Sequence, residues 1–127
     1  MAFVLTGQYM DHVHSHLRGM ADGPRLMFRS AHIYLLFAAL LNIALGSYMN
    51  PLRERVLKAL QVIGCVMVLF LPAMFLVSFF AESQNGTLYR PFARAAIYLS
   101  LLGITAHFIA SLPYRESKDD TKQRRAA

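Results

Sequence analysis

Residues 59–81 read ALQVIGCVMVLFLPAMFLVSFFA and contain no charged side chain. Residues 30–52 and residues 95–114 share this property, and the three uncharged stretches hold 23, 23 and 20 residues. A helix needs about 20 apolar residues to cross about 30 Å of hydrocarbon. The pattern therefore predicts an all-α integral membrane protein with three transmembrane helices, at about residues 30–49, 57–80 and 93–112.

The composition of the whole chain agrees with this prediction. Of its 127 residues, 56% are hydrophobic and 16% are charged, against roughly 25% charged residues in an ordinary soluble domain. The single cysteine excludes a disulfide framework. The net charge of +6 comes from basic residues that flank the spans, where anionic lipid head groups attract them. We therefore expect a lipid bilayer, and no nucleic acid, as a partner.

Turn-forming residues divide the chain. Asn50-Pro51 is predicted to end the first span, residues 83–86 (SQNG) to follow the second, and Pro113 to stop the third. The predicted organisation is an amphipathic segment at 1–22, a three-helix membrane domain at 23–114 and a basic polar tail at 115–127.

Basic residues on the two sides of the membrane predict the orientation. Residues 1–29, the 81–92 loop and Arg94 carry five, whereas the 50–57 loop, Lys58 and the tail carry eight. Because cytoplasmic segments are richer in Lys and Arg, we expect the N-terminus outside and the C-terminus in the cytoplasm, in a bacterial inner membrane.

Residues 3–20 are too polar to span the membrane, but on a helical wheel they separate into an apolar and a polar face. The apolar face holds Phe3, Met10, Val13, Leu17 and Met20. This pattern predicts an amphipathic helix lying in the membrane interface, with a break at residues 21–24 (ADGP) before the first span.

The same segment contains a histidine pair with metal-binding spacing. His12 and His16 would share a helix face and could grip one ion, with Asp11 or Gln8 near enough to help, whereas His14 points away. The alternative interpretation is a polar face that uses histidine in a wet interface.

Polar groups within the spans are costly and need partners. Pro72 frees the carbonyl of Val68 because it lacks an N–H. Asn42, this oxygen and His107 have predicted depths of about 2, 3 and 4 Å on the cytoplasmic side of the bilayer centre. We expect an intramembrane polar layer in which Asn42 bonds His107, the Val68 carbonyl, or both. Its role is structural in one interpretation, and proton handling or cofactor contact in the other.

Haem between two histidines needs both ligands at one depth. His32 and His107 are offset by roughly 17 Å along the predicted spans, so one chain cannot hold a bis-histidine haem with them. A five-coordinate haem, or one shared with a partner, stays open.

At the outer rim we expect Arg29, His32, Glu82 and Arg90 to gather, with an ion pair from Glu82 to the start of the first span. Cys65 lies in an apolar segment and is expected to be inert.

The chain contains no nucleophile elbow, phosphate loop, HExxH or CxxC motif, and we expect no enzyme and no cofactor. The favoured interpretation is a non-catalytic accessory or structural subunit of a larger membrane complex, or a homo-oligomer. The alternative is a protein that handles a metal, haem or protons with its histidines.

Overall fold

The computed structural model describes residues 1–49, 52, 54–84 and 89–126, with side chains up to Leu112. Over these residues the chain is helical, with no strand. Its helices are α1 (Ala2–His12), α2 (Asp22–Tyr48), α3 (Arg55–Leu69), α4 (Leu71–Ala81) and α5 (Pro91–Ala126), and a short turn, Ser15–Leu17, lies between α1 and α2.

Three helical segments are long and apolar enough to cross a membrane, which confirms the predicted fold class. They are Asp22–Tyr48, Arg55–Ala81 and Pro91–Leu112. The first begins well before predicted residue 30, because Gly23-Pro24 lies inside the first turn of α2 instead of ending a helix. A first-turn proline is tolerated since the N–H that it lacks would have no partner within the helix.

The second span is bent at Phe70, where α3 ends and α4 begins. Pro72 lies in the first turn of α4 and cannot donate to the Val68 carbonyl, as the sequence predicts. This bent span lies between the other two, with α4 contacting both α2 and α5, and α3 packing along α5.

The core consists of two clusters of buried apolar side chains. One joins α2 to both halves of the second span and to α5, and its members are Leu35, Ala38, Val68, Leu71, Phe75 and Ala96. The other joins the Ser15–Leu17 turn to α2 and α4, and its members are Leu17, Phe28, Ala31 and Phe79.

Helices α3 and α5 approach most closely at Gly64 and Gly103. A Cβ added to Gly64 would lie 2.6 Å from the Gly103 carbonyl oxygen, and one added to Gly103 would lie 2.9 Å from the Gly64 carbonyl oxygen. Small residues let helix backbones pack tightly in a membrane. The Gly64–Gly103 contact therefore brings the third span directly against the second.

Two helix ends differ from the sequence-based expectation. Helix α5 continues through Pro113 to Ala126, so the prediction that Pro113 stops the third helix is wrong: a proline disfavours one turn, and helix-forming residues follow it. Helix α1 ends at His12 instead of continuing to residue 20, because the backbone turns left-handed at Ser15–Leu17. The Asn50-Pro51 boundary and most of the 83–86 turn lie outside the described residues.

Candidate functional site

Polar side chains gather at two places in the bundle. The α1 end is where α1, the start of α2, the end of α4 and the start of α5 meet. The α2–α3 end is the opposite one, where α2 ends and α3 begins.

Glu82 organises the α1 end. It follows α4, is 5% exposed, and its carboxylate accepts hydrogen bonds from the backbone N–H groups of Phe92 (2.5 Å) and Ala93 (3.3 Å). These are first-turn donors of α5 that have no partner within the helix, and a negative charge at this position also complements the helix dipole. Glu82 thus ties the end of α4 to the start of α5.

Arg90 supplies the opposite charge. Its Nε lies 3.7 Å from Glu82 Oε2, and its guanidinium donates to the hydroxyls of Ser30 (2.6 Å) and Ser78 (3.2 Å). The Ser78 hydroxyl in turn donates to Glu82 at 2.5 Å. These four side chains, which we call the Arg90 node, connect all three spans through charge-assisted hydrogen bonds.

The Arg90 node corrects the predicted rim pairing. We expected Glu82 to pair with the start of the first span, but Arg29 is exposed, and His32 contacts Thr6. Arg90 is preferred because it flanks the same connection as Glu82, so closing α4 onto α5 brings the two charges together. Of the four rim residues, the structure joins only Glu82 and Arg90.

His32 instead holds α1 against α2. Its Nδ1 lies 3.0 Å from the Thr6 hydroxyl, and its ring stacks on Phe3 at 4.0 Å between centroids. Gly7 leaves room for the ring, since a Cβ there would lie 3.3 Å from the imidazole. The rest of this helix is less buried: Val4 and Leu5 are 55% and 61% exposed.

The predicted metal pair, His12 and His16, does not share a helix face. Helix α1 ends at His12, and His16 adopts a φ of 57° in the following turn, with its Nε2 2.6 Å from Asp11. Among the described residues no group of three His, Cys, Asp or Glu side chains is placed to hold an ion. The common face is therefore wrong because the helix on which it depends is shorter than predicted.

Asn42 lies in the last third of α2 and donates to two carbonyls. One is Ala38 on its own helix at 2.8 Å, and the other is Val68 at 3.1 Å. Val68 O is the acceptor freed by Pro72, and it is one of the two partners that the sequence names for Asn42. The contact joins α2 to the bend in the second span.

His107 contacts Cys65 instead of Asn42. Cys65 Sγ lies 3.7 Å from His107 Nδ1 and 4.0 Å from Met49 Sδ, so the Cys65 thiol on α3 contacts a nitrogen donor of α5 and a sulfur donor at the end of α2. Sequence reasoning missed this cluster. The available signal was that Gly64, the neighbour of Cys65, allows α3 and α5 to come close.

An open groove of about 340 Å³ lies beside this cluster at the α2–α3 end. It runs between α2 and α3, and is lined by Asn42, Leu45, Gly46, Met49, Val62, Cys65, Val66 and Leu69. A Cβ added to Gly46 would meet nothing within 4 Å. The groove is therefore apolar except for the Asn42 amide and the Cys65 thiol.

No family model, curated protein sequence or solved structure matches the chain. Its three long apolar helices are those of an integral membrane protein.

Proposed function

We propose that this chain is a small, non-catalytic accessory subunit that packs its α2–α3 end against a larger membrane complex. The proposal begins from the uneven burial of α2. Its buried residues lie between Met27 and Ala38, and none lies in the last ten residues of the helix, 39–48. This last part of α2 is available for a helix from another chain.

The polar contacts support a structural role. Asn42 bonds a carbonyl of the bent span, His32 bonds α1, and the Arg90 node connects the three spans. In a membrane such contacts hold helices together. Each of these groups is engaged with the fold itself, so the free surface is better suited to packing than to chemistry.

The proposal depends on one observation, the open space next to Gly46. Gly64 and Gly103 are in tight contact with one another, whereas Gly46 lies on an open groove with nothing within 4 Å of its added Cβ. Hydrophobicity does not drive helices together in lipid, and small residues that allow close approach do. An open glycine beside a groove is therefore a suitable seat for a helix of a partner protein.

The test is co-purification in mild detergent of the tagged chain and of its Gly46→Leu variant, from cells that express it at native level. We expect a larger partner with the parent chain and its loss with Gly46→Leu, because the new side chain would occupy the groove, where an added Cβ meets no atom of the chain within 4 Å. Ala44→Leu is the matched control, since Ala44 is exposed on another face. A monomer without a partner, or a partner that Gly46→Leu retains, would contradict the proposal; a second copy of the chain would indicate a homo-oligomer instead.

A bacterial inner membrane with the N-terminus outside is part of the same proposal. It is supported by the eight basic residues of the 50–57 loop, Lys58 and the tail, against five on the other side. Fusing the C-terminus to a reporter that fluoresces only in the cytoplasm tests the orientation. Fluorescence is the expected result. Activity of a periplasmic reporter at the same position would mean that the C-terminus lies outside, which contradicts the proposed orientation.

Metal handling is the second candidate function, and one observation favours it: the meeting of Cys65, His107 and Met49. Neither His12 with His16 nor His32 supports it as strongly, because His16 pairs with Asp11 and His32 bonds Thr6.

A further inference from the structure

We propose that Met49, Cys65 and His107 form a binding site for one Cu(I) ion. This inference is independent of the accessory role, because it concerns donors that face one another within a single chain. The three residues belong to the end of α2, to α3 and to α5, so the site would exist only when the spans are packed.

The donor set selects the metal. A thiolate and a thioether are soft ligands, which favour Cu(I) over harder divalent ions, and imidazole also suits copper. Carboxylates, which would favour Mg²⁺ or Ca²⁺, are missing from the residues that line the groove. One cysteine, one methionine and one histidine thus provide three ligands that form a neutral site once the thiol has lost its proton and Cu(I) is bound.

The two distances from Cys65 to its neighbours fit a trigonal site. Bonds of about 2.0 Å to nitrogen and about 2.3 Å to sulfur, as a d10 ion makes them, place the nitrogen and a sulfur about 3.7 Å apart and two sulfurs about 4.0 Å apart. The structure has 3.7 Å between Cys65 Sγ and His107 Nδ1, and 4.0 Å between Cys65 Sγ and Met49 Sδ. An ion could therefore enter without moving Cys65 relative to either neighbour.

The backbone holds two of the ligands in place. A Cβ on Gly64 would lie 3.1 Å from the backbone nitrogen of His107, so the close crossing of α3 and α5 fixes Cys65 and His107 next to each other. Met49 is different. It follows the last residue of α2, is 41% exposed, and lines the open groove. The rigid pair would bind the ion, and the flexible thioether would close over it from the groove.

The binding step keeps the charge of the site unchanged. The Cys65 S–H bond breaks, an S–Cu bond forms, the proton leaves to the solvent through the groove, and no electron is transferred. Since Cu(I) carries one positive charge and one proton departs, the loaded site is neutral. Neutrality matters because an uncompensated charge is costly at membrane depth.

The test is a titration of the reduced, detergent-purified chain with Cu(I) against a coloured Cu(I) chelator under ascorbate. We expect one Cu(I) per chain, a loss of affinity of at least about 100-fold in Cys65→Ser, and a loss of about tenfold in Met49→Leu. Met10→Leu, at the α1 end, is the matched control and should bind as the parent chain does. Equal affinity in Cys65→Ser and the parent would overturn the proposal, as would failure of the parent to compete with the chelator.

A second measurement needs no variant. Cys65 is the only cysteine of the chain, so one equivalent of Cu(I) should protect it from alkylation by a maleimide, whereas one equivalent of Zn²⁺ should protect it less. X-ray absorption should then show two sulfurs and one nitrogen around copper. Alkylation at an unchanged rate, or a copper shell without sulfur, would mean that the cluster is an ordinary thiol–imidazole contact.

Discussion

The two ends of the bundle are built in opposite ways. At the α1 end, buried aromatic residues and the Arg90 node join all three spans, and Phe28 and Phe79 are 1% and 0% exposed. At the α2–α3 end, Tyr48 and Val56 are both 79% exposed, and a groove separates α2 from α3. One end uses its polar groups to stabilise the fold, and the other keeps soft donors and a glycine accessible.

This difference has a simple physical origin. On one side of the helix interruption at Phe70, α4 packs on α2, and on the other side α3 packs mainly along α5, so the last third of α2 holds no buried residue. Asn42 marks the last polar contact before the separation. We infer that the α1 end determines the stability of the chain and that the α2–α3 end determines what it binds.

Removing the Glu82 carboxylate should have the largest effect. In Glu82→Ala, Arg90 loses its counter-charge while it remains 9% exposed, and breaking a buried pair in this way costs about 3–5 kcal/mol. Two N–H groups of α5 lose their acceptor as well. The free energy of unfolding in mixed detergent micelles measures the loss.

Two variants sharpen this measurement. Glu54→Ala is the control at the α2–α3 end, because Glu54 precedes α3, is exposed and makes no capping hydrogen bond with its side chain; its effect should be below about 0.5 kcal/mol. The double variant Glu82→Ala with Arg90→Met should recover part of the loss, since it removes the unpaired charge. Equal losses in Glu82→Ala and Glu54→Ala would refute the contrast between the two ends.

Alanine substitutions at Gly64 and Gly46 should change the stability differently, because Gly64 lies at the packed helix crossing and Gly46 lies on the open groove. In Gly64→Ala the added methyl would lie 2.6 Å from the Gly103 carbonyl oxygen, and such overpacking costs about 1–3 kcal/mol. Gly46→Ala meets nothing within 4 Å and should be neutral or stabilise by up to about 1 kcal/mol. Thermal unfolding followed by circular dichroism compares the two, and a destabilised Gly46→Ala would show that the groove is closed in the isolated chain.

The turn between α1 and α2 offers a smaller test at the α1 end. Ser15 has a φ of 45° and Gly19 a φ of 76°, and a left-handed conformation costs a side chain-bearing residue about 1–2 kcal/mol. Ser15→Gly should therefore stabilise the protein by about 1 kcal/mol, whereas Gly19→Ala should destabilise it by a similar amount. Shifts of Tm in opposite directions are expected, and a lower Tm in both variants would contradict the left-handed turn.

The sequence is sufficient to predict the spans, because an uncharged stretch of about 20 residues is best accommodated in a membrane. It also gives the bend in the second span, since Pro72 removes one backbone donor whatever surrounds it. The Asn42 contact with Val68 can be predicted for the same reason, because the freed Val68 carbonyl and the Asn42 amide lie at nearly the same depth. These features depend on local covalent structure and on helix rise alone.

The remaining contacts depend on how the helices cross, which the sequence does not state. The pairing of Glu82 with Arg90 requires α4 to close onto α5, and the meeting of Cys65 with His107 requires the Gly64–Gly103 crossing. The end of α1 depends on the left-handed turn that follows it. Periodicity alone cannot identify this turn, because Ser15 and Leu17 are not residues that usually adopt a positive φ.

Asn42 should give the smallest effect, and it tests the point at which the two ends separate. Asn42→Leu keeps the volume but removes the donor to the Val68 carbonyl, and interhelical hydrogen bonds in membranes average about 0.6 kcal/mol with a maximum near about 1.7 kcal/mol. Ser47→Ala is the control, because the Ser47 hydroxyl donates only to Ile43 on its own helix. We expect Asn42→Leu to lower the free energy of unfolding by about 0.6 kcal/mol more than Ser47→Ala does, and also to raise hydrogen exchange in the second half of α2. Unchanged exchange there would mean that the bend in the second span, and not the Asn42 bond, sets where α2 leaves the bundle.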